Sequence, residues 1–169
     1  MQINKIELKN ISYYDQGSEE TPCYNATVYV NGKKAIEVGN DGHGGMDRQD
    51  AWHEKGFNLK EINDWCIKTF GQKSFTYHSD DEEKECTYDS DLEQFCHDEL
   101  YKWLDTKLLK KDMGKKYLFV EDKKLYGYPR KNKDQDVTFK TFFYEKHPSA
   151  KCLNFMSFDD ALTLYKESA

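Results

Sequence analysis

Tyr24-Asn25-Ala26-Thr27-Val28-Tyr29-Val30-Asn31-Gly32-Lys33-Lys34-Ala35-Ile36-Glu37-Val38 is the stretch whose reading decides the fold. Tyr24, Ala26, Val28 and Val30 alternate with Asn25, Thr27 and Tyr29. That is the period of a strand with one face buried. Asn31-Gly32 follows, and both residue types accept positive φ, so a two-residue type I′ turn is expected. Lys34 to Val38 is the returning strand. On the N-terminal side, Ile6, Leu8 and Ile11 alternate with Lys5, Glu7 and Lys9, predicting a first strand joined through a polar loop over residues 15–22. These three strands form an antiparallel meander. It ends at Gly39-Asn40-Asp41-Gly42-His43-Gly44-Gly45, which holds four of the chain's ten glycines.

Residues 46–56 read as irregular or short-helical. Asn58 has the character of an N-cap with Glu61 three positions on, and Leu59, Ile62, Trp65, Cys66, Thr69 and Phe70 make a helical stripe that Gly71 stops. Residues 73–89 read as a solvated loop around Asp80-Asp81-Glu82-Glu83-Lys84-Glu85. A second helix, capped by Ser90 or Asp89, carries Leu92, Phe95, Cys96, Glu99 or Leu100, Trp103, Leu104 and Leu108 on its apolar side. Tyr117–Val120 and Leu125–Tyr128 predict a second hairpin closed by Pro129, and Val137–Tyr144 predicts an aromatic strand. Cys152–Phe155 reads as extended, and Ser157 caps a short final helix. Antiparallel strand groups with helices in blocks indicate an α+β class rather than alternating α/β. The expectation is one domain over residues 1–169: an antiparallel sheet of meander and C-terminal hairpin strands, covered by two main helices and a short C-terminal helix.

Within a modest hydrophobic content of 37%, ten Phe, twelve Tyr and three Trp supply core area that many aliphatics would otherwise provide. The net charge of −6 is unevenly spread. Residues 79–105 carry eleven acidic and two basic side chains, whereas residues 106–151 carry thirteen basic and six acidic ones. Overall acidity argues against a dedicated nucleic-acid binder. Nucleic acid remains a lesser partner class through residues 115–140, where Tyr126, Tyr128, Phe139, Phe142 and Phe143 lie near Lys123, Lys124, Arg130, Lys131 and Lys133. No run approaches the length of a membrane span, and the N-terminus lacks an apolar leader, so a cytoplasmic location is expected. Five cysteines without a CxxC pair read as reduced thiols, with Cys66 and Cys96 as core residues and His97 on the surface side of its helix.

Three readings of the glycine loop stand side by side. In the first, the glycines supply positive φ for a tight bend. In the second, backbone N–H groups cradle an anion beside His43 and Arg48. The run is neither GxxxxGK[ST] nor GxGxxG, so no nucleotide motif supports it. In the third, Asp41, His43, Asp47, Asp50 and His53 gather as a hydrolytic or metal site, although the spacing matches no known ligand pattern. The ligand-binding candidates are therefore Asn40, Asp41, Gly42, His43, Gly44, Gly45, Arg48 and His53. No catalytic residue, metal ligand or cofactor is assigned. Asp80, Asp81, Glu82, Glu83 and Glu85 are the candidates for contact with a basic protein partner.

The segments Ile6–Ile11, Ser18–Thr21, Tyr24–Val30, Gly32–Lys34 and Val38–Gly45 together resemble a group of small uncharacterised proteins from bacteria and their phages. The resemblance covers about the first fifty residues and carries no catalytic residues over. It implies a phage or mobile-element setting, in which small proteins without enzyme motifs act by binding a host protein, defence machinery included. The expected function is thus a non-enzymatic interaction protein that modulates a host protein. The alternative is a small-ligand, nucleotide or metal-binding protein, or an enzyme, with its site at Gly39–Gly45.

Overall fold

A computed structural model describes residues 2–51, 56–79, 82–131 and 135–168. The fold is α+β, and its strands pair antiparallel throughout. The chain divides into two compact units, residues 1–100 and 101–169.

In the first unit, β1 (Ile6–Tyr13), β2 (Tyr24–Val30), β3 (Lys33–Asn40) and β4 (Arg48–Ala51) form one sheet in that order. The meander is as the alternation requires. Val30 pairs with Lys33 across Asn31 and Gly32, whose φ values of 49° and 79° are those of a type I′ turn. The Asn31 side chain also accepts from the Lys5 and Asn4 amides, tying the turn to the chain entering β1. Residues 48–51, expected to be irregular, are a fourth strand, because the glycine loop reverses the chain onto β3 and pairs Gly39 with Arg48.

Helix α1 (Leu59–Phe70) is capped by the Asn58 side chain, which accepts from the Glu61 amide at 3.3 Å. It ends at Gly71 with φ 72° and buries Ile62 and Cys66. The stretch 73–89 is not a loop but a hairpin of β5 (Gln72–Ser79) and β6 (Glu82–Asp89), paired from Gln72–Asp89 to Ser79–Glu82. Phe75 and Tyr77 in β5 alternate with Ser74, Thr76 and His78, a strand period that the neighbouring run of acids obscured. The cap of α2 (Leu92–Lys115) is also corrected. Asp91, not Ser90 or Asp89, accepts from the Gln94 amide at 2.9 Å, while Ser90 is buried.

In the second unit, β7 (Lys116–Glu121) is the middle strand between β8 (Lys124–Pro129) and β9 (Lys151–Cys152). Asp122 and Lys123 turn the hairpin with φ 51° and 63°. Strand β7 is buried on both faces. Leu118 and Val120 pack with Leu109 of α2 and with Ala161 and Tyr165 of α4 (Phe158–Ser168). Tyr117 and Phe119 pack the other way with Phe143 and Cys152. The expected strand 137–144 is helix α3 (Asp136–Lys146). Its aromatic content favours strand, but as a helix it stacks Phe139 on Tyr117 and, one turn on, sets Phe143 edge-on against Phe119. Leu108, expected inside, is exposed, and Leu109 takes its place. Ser157 caps α4 as expected, accepting from the Asp160 amide at 3.2 Å. No helix among the described residues is long and apolar enough to cross a membrane.

Candidate functional site

The glycine loop is held by its own hydrogen bonds. The Gly42 carbonyl accepts the amides of Glu19, Glu20 and Thr21 at 3.0, 2.9 and 3.3 Å. Gly42 has φ 91°, and a Cβ there would lie 1.8 Å from the Gly17 carbonyl oxygen, so only glycine fits this close approach. Three loop amides are already engaged: Gly42 donates to the Asn40 side chain, His43 to Asp41, and Gly44 to Thr21. An anion seated in the loop would therefore have to displace bonds the chain already makes. Asp41 and His43 are exposed, and the His43 Nδ1 lies 3.3 Å from Glu19 rather than beside Asp41's carboxylate. Arg48 is exposed and reaches Asp50 and Asn25. His53, the last ligand candidate, lies outside the described residues. A shallow cleft of about 530 Å³ runs beside the loop, lined in part by Asn25, Gly39, Asn40, Gly44 and Arg48.

Asn40 is the candidate that faces inward. Its Oδ1 accepts from Thr21 at 2.6 Å and from the Gly42 amide, and its Nδ2 donates to the Gly45 carbonyl and to Asp47 Oδ1 at 3.1 Å. Asp47 is the centre of this network. Its side chain is 1% exposed. The Tyr24 hydroxyl donates to its Oδ2, and its amide donates to Glu93 at 3.1 Å. His97 Nε2 stands 3.4 Å from Oδ1 and 3.3 Å from Oδ2. Burial pushes the Asp47 carboxyl up, but the bonds from His97, Tyr24 and Asn40 outweigh it and hold the group below the usual carboxylate range. The same bond to Asp47 raises His97 against the opposing effect of burial. Tyr24 is pushed far up, first by burial and then by the surrounding negative groups, and stays a neutral donor.

The local pattern groups Asp47 with Asp41, His43, Asp50 and His53, whereas its partners in the fold include Tyr24, Glu93 and His97. His97 is not a free surface residue, because its side chain is 26% exposed and packed edge-on against the Tyr24 ring. The one available signal was the spacing of Glu93 and His97, four apart and so on one side of a helix. Its partner Asp47 lies fifty positions away, and no local pattern announces such a contact. Glu93 and His97 border a second cleft of about 320 Å³, together with Tyr88, Asp89, Asp91 and Gln94.

The candidates for partner contact lie on the β5–β6 hairpin. Asp80 and Asp81 are outside the described residues, and Glu82, Glu83 and Glu85 are exposed on β6. The register puts Glu83, Glu85 and Asp89 on one face with His78, Thr76 and Gln72. The other face carries Phe75, Tyr77 and Tyr88, with Phe75 6.0 Å from each of the other two rings. Phe75 is 50% and Tyr77 43% exposed. In the 115–140 region the picture differs. Tyr117 and Phe139 stack at 3.8 Å inside the unit, and Arg130 is bound to Asp136 and the Met113 carbonyl, so these groups are committed to the interior.

No protein-family model, curated protein or solved structure matches the chain.

Proposed function

We propose that this chain is a non-enzymatic interaction protein that binds a partner protein through the β5–β6 hairpin. The observation that carries the reading is an aromatic face, Phe75, Tyr77 and Tyr88, standing on a two-stranded hairpin with most of both faces in solvent. A pair of strands exposing rings gains little stability from them by itself, whereas aromatic side chains are the residues that anchor protein interfaces. The opposite face offers Glu83, Glu85 and Asp89, so a partner that grips the hairpin from both sides meets the rings with an apolar surface and the acids with basic side chains. The N-terminal resemblance to phage and bacterial proteins favours a host protein as that partner, with a defence component as the specific case.

The test is capture from bacterial lysate with the tagged full chain. A partner held by the wild type should be lost from the Phe75→Ser/Tyr77→Ser double variant and weakened by Glu83→Lys/Glu85→Lys. Equal capture by all three proteins sinks the assignment to this hairpin. Absence of any captured protein sinks the interaction reading itself.

A further inference from the structure

We propose that Asp47, Glu93 and His97 form a binding site for a divalent transition metal of the zinc type. Each offers one ligand atom, and the three atoms lie within 4.8 Å of one another. Two come from successive turns of α2, Glu93 and His97, a spacing that turns both side chains to the same side of the helix. The third enters from the segment between the glycine loop and β4, which is fixed by the loop's hydrogen bonds.

The His97–Asp47 contact is an ion pair in the metal-free protein, with a spacing that a cation also fits. A charged hydrogen bond from imidazole to carboxylate settles at about 2.7–2.9 Å with one oxygen. Here His97 Nε2 faces the carboxylate squarely, at 3.4 and 3.3 Å from its two oxygens. Two ligand atoms bound tetrahedrally to zinc at 2.0–2.1 Å are themselves about 3.4 Å apart. The Asp47–His97 separation matches one edge of such a tetrahedron, and Glu93, bonded to the Asp47 amide, offers a third ligand atom within 4.8 Å of the other two. Two carboxylates balance a divalent charge, and the imidazole nitrogen selects zinc-like ions over calcium or magnesium.

The surroundings match a held ligand set. Tyr24 and Asn40 each donate to a different oxygen of Asp47, orienting the carboxylate as outer partners orient ligands in metal sites. The cleft bordered by Tyr88, Asp89, Asp91 and Gln94 gives access from solvent and leaves the fourth corner to water.

The experiment strips the full chain with chelator and titrates it with zinc chloride, read by calorimetry and by native mass spectrometry. One zinc per chain is expected. Glu93→Gln and His97→Gln should each weaken binding by about tenfold or more, since loss of even an outer partner of a ligand has effects of that size. Cobalt chloride should give a tetrahedral visible band that His97→Gln removes. Circular dichroism of each variant confirms that it is folded. No zinc taken up by the wild type overturns the proposal. So does zinc held equally by both folded variants, which would place the ion on other residues.

Discussion

Gly42 shows how one residue sets a local structure. Its φ of 91° and the 1.8 Å approach to the Gly17 carbonyl leave no room for a side chain, while the three amides on its own carbonyl anchor residues 19–21. Gly42→Ala should destabilise the protein by more than about 2 kcal/mol, because left-handed strain of about 1–2 kcal/mol is joined by a clash with backbone that cannot rotate away. Gly45→Ala, with φ 85° but open space, should show the strain alone. Urea denaturation of the two variants separates the effects, and equal losses would contradict the steric argument. Asp47 and His97 set a pH dependence. Asp47 titrates below its ordinary 3.8 in the folded protein, so its contribution is present above that value and lost as acid protonates it. His97 titrates above its ordinary 6.5, so its contribution is present below 6.5 and lost as pH rises through the raised value. The groups acting on His97 are Asp47, Glu93 and Asp98, all acidic, together with the neutral Tyr24 ring. Wild-type stability relative to His97→Gln should therefore be greatest between about pH 4 and 6.5, and the difference should shrink on both sides. A difference that is flat with pH would show that the pair is not linked to folding.

Elements whose residues repeat an unambiguous period were legible, and those that depend on distant packing were not. The β1–β3 meander, the α1 cap, the β7–β8 hairpin and the start of α4 follow from alternation, Asn31-Gly32, Asn58 and Ser157. The β5–β6 hairpin was obscured because its strands are amphipathic in an unusual sense, with an aromatic face that no described core covers. Helix α3 was read as strand because Val137, Thr138 and three phenylalanines favour strand locally, and the β7 surface decides otherwise. These two elements should respond to mutation in opposite ways. Phe75→Ser removes an exposed ring and should change stability by about 0.5 kcal/mol or less. Phe143→Ala opens a cavity beside Phe119 in a fully buried cluster and should remove about 3–5 kcal/mol. Denaturation midpoints of the two variants test the contrast, and a large loss for Phe75→Ser would show that the hairpin's aromatic face is covered.

At the scale of the whole molecule, five free thiols report on burial. Cys66 is pushed up to about 12 by burial and by nearby Asp91, Cys152 up to about 11 by burial, and Cys96 well above its ordinary range for the same first reason. Cys86 is exposed on β6. A thiol reagent applied to native protein should label Cys86 first, and Cys66, Cys96 and Cys152 should react only on unfolding. Fast native labelling of Cys96 would contradict its placement under the Asp47 network. The sequence by itself determined the α+β class, the meander, the main turns and the acidic–basic charge layout, since each rests on residues within a few positions of one another. Only the tertiary structure decided that Asn40, of all the loop candidates, points inward. It alone brought Asp47 to Tyr24, Glu93 and His97, and it alone made residues 72–79 and 82–89 an antiparallel pair with Phe75 and Tyr77 exposed. Those outcomes depend on pairings across tens of residues, where burial and hydrogen-bond satisfaction select one partner among many and no local period records the choice.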